Sequence, residues 1–187
     1  PMGIRDRAIL ETLYSTGIRR MELCQLDVRH VDLQMQLAHI EHCKGNKPRF
    51  VPIGERALQW VEKYLVEVRP RLCPSINDPA LFLNTRGARL SECRLGSAVH
   101  EMIRRSGVGK SGGCHLFRHA FATGLLHNGC DLRHIQLMLG HAGLESTQIY
   151  THVSIRQIQE AHRKYHPAQM PEAAPCDGES ESELLAG

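Results

Sequence analysis

Leu37-Ala38-His39-Ile40-Glu41-His42-Cys43-Lys44-Gly45-Asn46-Lys47-Pro48-Arg49-Phe50-Val51-Pro52-Ile53 breaks the helical texture that surrounds it. Residues 37, 39 and 41 alternate with 38, 40 and 42, and β-favouring residues return at Phe50-Val51-Pro52-Ile53. Between the two runs, Lys44-Gly45-Asn46-Lys47-Pro48 carries turn chemistry. The change of texture begins at Val31, and the stretch from there to Ile53 reads as a β-hairpin with a basic tip. The expected fold is therefore mainly α with a small antiparallel β-sheet on one edge, an α+β arrangement.

Before the hairpin, residues 5–16 read as a helix with Ile9, Leu10, Leu13 and Tyr14 on one face, ended by Gly17. A second short helix is expected over 19–26. Residues 55–68 are amphipathic, with Leu58, Val61, Leu65 and Val68 on the apolar side. Pro70, Pro74 and Pro79 mark a loop, and Leu81-Phe82-Leu83 reads as a short buried strand. Ser91 is placed to cap a helix running to Arg105, and 107–113 reads as a loop. Helices are expected over 115–127, 131–139, 146–152 (capped by Ser146 and carrying Tyr150) and 154–165. The tail from Ala168 is rich in Pro, Glu and Ser and is expected to be disordered. The chain thus divides into a body, 1–166, and an acidic tail, 167–187, with no internal repeat.

The 187 residues, 42% of them hydrophobic, suit one domain with a sizeable core. No apolar run approaches the ~20 residues of a membrane helix. No charged-then-apolar leader opens the chain, so a signal peptide is not expected. Seven cysteines (Cys24, Cys43, Cys73, Cys93, Cys114, Cys130, Cys176) are scattered and odd in number, with no CxxC pair. That usage argues against a disulfide framework or zinc ribbon and for a reducing, cytoplasmic setting. The net charge of +3 conceals a split. The tail holds five acids and no Lys or Arg, leaving 23 basic against 15 acidic residues, a net +8, over 1–166. Such a body suits a polyanionic partner, and it equally suits a merely well-solvated surface.

Polar groups recur where helices start, a turn tips or an apolar run breaks. Arg19 lies at a helix start, where its planar fork of donors could take an anion, or could simply pair with Glu22 on the surface. His115 and Arg118 are three apart and share a helix face. Together they could clamp a phosphate, although a histidine there could equally be satisfied by a backbone carbonyl. Lys44 at the hairpin tip could approach a leaving oxygen or be a solvated turn lysine. His141 follows Gly140 at a helix end, a usual place for a cation facing the helix dipole. Tyr150 stands nine residues later, where many tyrosines are core residues.

Taken together these stretches resemble one family. Thr16-Gly17-Ile18-Arg19-Arg20-Met21-Glu22-Leu23, Lys44-Gly45-Asn46-Lys47, His115-Leu116-Phe117-Arg118-His119-Ala120-Phe121-Ala122-Thr123, Leu137-Met138-Leu139-Gly140-His141 and Thr147-Gln148-Ile149-Tyr150-Thr151-His152 are similar in order and spacing to the tyrosine recombinase signature, in its Xer-type and phage- or transposon-integrase branch. The resemblance runs from residue 3 to residue 166. It implies a catalytic domain that cuts and rejoins DNA, often for a mobile genetic element. Arg19 and Arg118 would be clamp arginines, Lys44 (or Lys47) the hairpin acid, His115 and His141 the active-site histidines, and Tyr150 the nucleophile. Cys43 stands where relatives often carry Gly. Full-length members usually carry an N-terminal helical domain that closes around DNA, and this chain begins where the catalytic domain would begin.

The implied chemistry is transesterification at phosphorus through a 3′-phosphotyrosyl link, with neither metal nor other cofactor expected. His115 and His119 have i, i+4 spacing, but there is no HExxH and Arg118 beside them would repel a cation. Among DNA contacts, Lys47 and Arg49 on the hairpin are expected at phosphates and Arg94, in the first turn of its helix, at a base edge. The expected partner is double-stranded DNA. The chain is expected as a monomer without it and as a tetramer on paired sites, joined through helix 154–165. Two other readings stand beside this one: a DNA-binding regulator that does not cut, and a type IB topoisomerase-like relaxing enzyme. Covalent trapping on nicked DNA separates the first, and supercoil relaxation against two-site recombination separates the second.

Overall fold

The computed structural model describes residues 2–41, 48–72, 78–109, 112–140 and 152–169. Within them the chain runs α1 (Met2–Thr16), α2 (Arg20–Gln25), β1 (Val31–Asp32), β2 (Leu37–Ile40), β3 (Arg49–Pro52), α3 (Glu55–Glu67), α4 (Arg69–Leu72), α5 (Glu92–Arg105), α6 (Cys114–His127), α7 (Leu132–Leu139) and α8 (His152–Tyr165). Short 3₁₀ turns stand at Val28–His30 and Pro167–Gln169. This is the expected helical body with one small sheet.

The sheet is antiparallel in the order β1-β2-β3. Ala38 pairs with both Val31 and Val51, and Ile40 pairs with Arg49. Side-chain alternation puts Arg49 and Val51 on one face, and both are buried. At the β1–β2 turn, Asp32 Oδ1 accepts from the backbone of Gln34 at 2.9 Å and Met35 at 2.8 Å.

One core joins the helices. Ile9 and Leu13 of α1, Val61 and Tyr64 of α3, Leu95 and Val99 of α5, Phe121 and Leu125 of α6, Met138 of α7 and Ile158 of α8 are all buried in it. The apolar faces expected on α1 and α3 turn inward, with Leu10, Tyr14 and Leu65 at their margins.

Three expectations need correction. Arg69–Leu72 is a helical turn, not loop, because Pro70 lies in its first turn, where no intrahelical amide bond is lost. Leu81-Phe82-Leu83 is buried but forms no strand. Leu81 N donates to Leu26 O at 2.9 Å and Leu83 N to the Tyr64 hydroxyl at 3.1 Å, while Arg5 Nη1 donates to Leu83 O at 3.1 Å. The described chain also continues through Gln169. The helix expected at 146–152 and the tail beyond 169 lie outside the described residues, apart from the backbone at 152.

α8 lies against β3, α6 and α7 of its own chain. His162 Nε2 meets Ser15 O at 2.7 Å, His166 Nε2 meets Tyr14 O at 3.1 Å, and the two imidazoles stack with centroids 4.6 Å apart. Gln159 Nε2 donates to Met35 O at 2.6 Å.

Candidate active site

The site forms where the end of α7 meets the α1–α2 corner. Gly17 ends α1 with φ +61 and turns the chain toward Arg19, the residue that precedes α2. Its carbonyl faces α6 and accepts from Arg118 Nη1 at 2.8 Å. A side chain at 17 would meet Phe121 at 2.5 Å, so both the backbone conformation and the packing require glycine.

α7 starts on Asp131, whose carboxylate caps Arg133 N at 2.7 Å, and stops at Gly140 in the left-handed conformation, φ +65. The last carbonyls of a helix have no intrahelical partner and carry partial negative charge. Here three successive ones each take a different arginine. Met138 O accepts from Arg49 Nε at 3.0 Å, Leu139 O from Arg118 Nη2 at 2.9 Å, and Gly140 O from Arg19 Nη2 at 3.5 Å.

One buried carboxylate serves the cluster. Glu22 Oε1 and Oε2 each accept from Arg49 at 2.9 Å, and Oε1 also accepts from Arg19 Nη1 at 3.1 Å. Glu22 Oε2 further accepts from Arg19 N at 2.8 Å. Burial alone would raise the Glu22 carboxyl, but hydrogen bonding and charge from Arg49, then Arg19, hold it at about 2. Burial, with the charges of Arg19 and Arg49 nearby and Glu22 opposing, pulls Arg118 down to about 10. Arg118 therefore stays cationic at neutral pH. Three guanidiniums around one carboxylate leave an excess of positive charge, held half-buried. Arg19 keeps 40% of its side chain exposed, so the excess can act on an anion from outside.

Arg19 and Arg118 are thus brought together at the end of α7. His115 lies one turn before Arg118 in the first turn of α6 and is exposed. Arg94 is exposed in the first turn of α5. Lys44, Lys47, His141 and Tyr150 lie outside the described residues.

Arg49 is corrected. Its side chain is 1% exposed and fully engaged by Glu22 and Met138, so it is not free to meet a DNA phosphate. The signal was present in the strand period: Arg49 shares its face with the buried Val51, and a buried guanidinium needs a carboxylate. Glu22, weighed in the sequence only as a surface partner of Arg19, is the buried centre of the site.

Comparison with known proteins gives a consistent set of relatives. The model of the phage integrase family matches residues 1–157. Tyrosine recombinase XerC 2 of Ralstonia nicotianae is 46% identical over 170 residues, covering 91% of this chain and 49% of the relative. Among solved structures, the crystal structure of XerA recombinase has TM-score 0.70 and 34% identity, over 86% of this chain and 58% of that one. XerH site-specific recombinase bound to its difH substrate, a pre-cleavage complex, has TM-score 0.65 and 30% identity, over 86% of this chain and 46% of that one. The chain spans about half the length of the curated relatives it matches.

Proposed function

The chain belongs to the phage integrase family, and we propose that it is the strand-cleaving part of a site-specific DNA recombinase working through a 3′-phosphotyrosyl intermediate. The observation that carries this reading is the convergence of Arg19 and Arg118 on the end of α7, where both reach neighbouring carbonyls.

In the proposed cycle the Tyr150 oxygen attacks a scissile phosphorus. A P–O bond to tyrosine forms, the bond to the 5′-oxygen breaks, and the DNA 3′ side stays on the enzyme. The tyrosine proton passes to His115, and the leaving 5′-oxygen takes a proton from Lys44 or Lys47. A 5′-hydroxyl of a second strand then reverses the step, so phosphoester is exchanged for phosphoester and no nucleotide is consumed. Negative charge builds on the non-bridging oxygens of the pentacoordinate state. Arg19 and Arg118 meet that charge, with His141 bonded to the same phosphate. Donors of this kind each contribute about 3–4 kcal/mol to lowering a barrier. Arg118 suits the task because burial and like charge leave its guanidinium short of counter-charge until an anion arrives.

The proposed partner is double-stranded DNA, with Arg94 reading a base edge and Lys47 a phosphate. The chain would act in the cytoplasm, as a monomer off DNA and as a tetramer on paired sites. Residues 1–166 would form the catalytic domain, and the acids of 167–187 would lie outside it.

Duplexes of randomised sequence carrying a 5′-bridging phosphorothiolate test the chemistry, because the departing thiol rejoins poorly. The wild-type chain is expected to form a covalent protein–DNA band. Tyr150→Phe should lose the band while keeping its unfolding transition and DNA affinity. A band that persists in Tyr150→Phe shows that Tyr150 is not the nucleophile, and Tyr165 is then the next tyrosine to replace.

A further inference from the structure

We propose that Arg49 is a positioning residue for DNA cleavage, setting Arg19 through Glu22 and the α7 end through the Met138 carbonyl. The inference rests on the recombinase reading above and assigns Arg49 a part in it.

The geometry makes Arg49 the common support of two separate pieces. Two of its nitrogens hold both oxygens of Glu22, each at 2.9 Å. This fixes the plane of the carboxylate. The same carboxylate holds Arg19 by its backbone N–H at 2.8 Å and its Nη1 at 3.1 Å. The remaining nitrogen, Nε, holds Met138 O at 3.0 Å, two residues before the glycine that ends α7. Strand β3 anchors the arginine itself, since Ile40 pairs with Arg49 at the end of the β2–β3 ladder. Gly140 completes the fit. A Cβ there would meet Arg49 Nε at 2.9 Å and Cζ at 3.0 Å, so the helix end lies directly on the guanidinium.

The arrangement explains why a guanidinium, and not an ammonium, occupies the position. One planar fork satisfies a bidentate acid and a third acceptor at once, which a point charge on a flexible stem cannot do. Arg49 sits beneath Arg19, 1% exposed, and so does not itself meet a ligand from solvent. Its influence on a phosphate passes through Arg19, which Glu22 holds, and through the charge it presents to Arg118.

This role carries a pH signature that packing alone would not produce. Glu22 stays ionised because Arg49 and Arg19 oppose its burial. Without the Arg49 guanidinium, burial would move the Glu22 carboxyl upward, and a protonated Glu22 releases its charged hold on Arg19. Facing Glu22 are Arg19 from the start of α2, Arg49 from β3 and Arg118 from α6. His30, His39 and Glu41 line the adjoining crevice.

The test is single-turnover cleavage of the phosphorothiolate duplexes by the wild-type chain, Arg49→Met, Arg49→Lys and the double variant Arg49→Met with Glu22→Gln. Each is followed across pH, with unfolding and DNA affinity measured alongside. Arg49→Met is expected to cleave about a hundredfold more slowly, the usual effect of a slight misplacement of catalytic groups. Its rate should also begin to fall on the acid side at a higher pH than the wild-type rate does. The double variant should stay slow but keep the acid side of the wild type, and Arg49→Lys should recover part of the rate. Should Arg49→Met alone not fold, the double variant, with the Glu22–Arg49 pair removed as a unit, carries the test by its slow rate and unshifted acid side. A folded Arg49→Met, or double variant, that cleaves at the wild-type rate and pH dependence overturns the inference alone. A wild-type chain that forms no adduct overturns the recombinase reading and this inference with it.

Discussion

Arg118 donates to the carbonyl of Gly17 at 2.8 Å, across 101 positions of chain. The bond ties α6 to the corner that delivers Arg19 two residues later, so one clamp arginine is held partly by the turn that presents the other. Gly17→Ala should break this coupling. The new Cβ would meet Phe121 at 2.5 Å in a backbone conformation, φ +61, that costs a non-glycine residue about 1–2 kcal/mol before any clash. Denaturant unfolding should therefore show a loss on the order of 2 kcal/mol or more, and covalent trapping should fall further than the unfolded fraction explains. Wild-type stability in this variant would show that the corner can be repacked.

The Glu22–Arg49 pair should behave as a unit. Its side chains are 2% and 1% exposed, so removing either partner strands a buried charge. Such a loss costs about 3–5 kcal/mol. Glu22→Gln and Arg49→Met should each be strongly destabilising, and the double variant less so than the sum of the two. A double-mutant cycle by urea unfolding measures this directly, and additive losses would contradict a closed pair.

Much of this was legible, for physical reasons that differ by element. The β2–β3 pairing followed from a period of two, α3 from amphipathic spacing and α5 from the Ser91 cap. Arg49 was misread because it adjoins a basic turn, and basic residues near a hairpin tip suggest phosphate; the strand period, which placed it beside Val51, was the better guide. The 81–83 segment could not be told from a strand because it makes only an isolated bridge to Arg89 and a single bond to Leu90, its other backbone bonds going to a loop carbonyl and to the side chains of Tyr64 and Arg5. Such partners leave no local pattern. Arg19 and Arg118 were separable from ordinary surface arginines only by their resemblance to a family signature. Glu22, three residues from Arg19, was visible as a partner but not as a buried one.

Stability should fall on mild acidification. Burial holds His162 at about 3, and it lowers His166 as well. Above the ordinary imidazole value of ~6.5 both rings are neutral, folded or unfolded. As pH falls below it, the unfolded chain takes up protons that the folded chain refuses. Each such proton lowers stability by about 1.4 kcal/mol per pH unit. For His162 the loss continues toward about 3. Urea midpoints should therefore drop between about pH 7 and about pH 5, above the range where carboxylates titrate. Replacing both histidines by Gln should flatten that slope, and an unchanged slope would assign the effect elsewhere.

DNA reading separates two arginine-and-lysine roles. Arg94 is exposed at the start of α5, where Ser91 Oγ accepts from its backbone N–H at 3.5 Å. Arg94→Ala should relax sequence preference among duplexes. Lys47→Ala should weaken binding evenly and reduce the salt slope by about one counterion. Uniform loss in both variants would remove base reading from Arg94.

α8 turns its inward face into this chain's own core: Ile158, Ala161 and His162 are buried, as is His166 just beyond the helix. Deleting the helix would open that core, so a truncation cannot separate assembly from folding. A reversible lock can. Gln159 on α8 donates to Met35 O at 2.6 Å, so the length of one side chain spans the gap from the helix to the β1–β2 turn. Cysteines at both positions, with Cys43, Cys73, Cys93 and Cys176 replaced by Ser, should accept a reductively cleavable bifunctional thiol reagent of that reach, which pins α8 to its own body. If recombination requires α8 to leave and dock on a neighbouring protomer, the locked chain should bind a single DNA site normally. It should fail to assemble or recombine on paired sites, and reduction of the crosslink should restore both. Sedimentation on one-site and two-site duplexes reads the assembly, and strand exchange reads the reaction. A locked chain that recombines two sites as well as the reduced one would leave α8 as packing alone and remove it from the path between assembly and Tyr150.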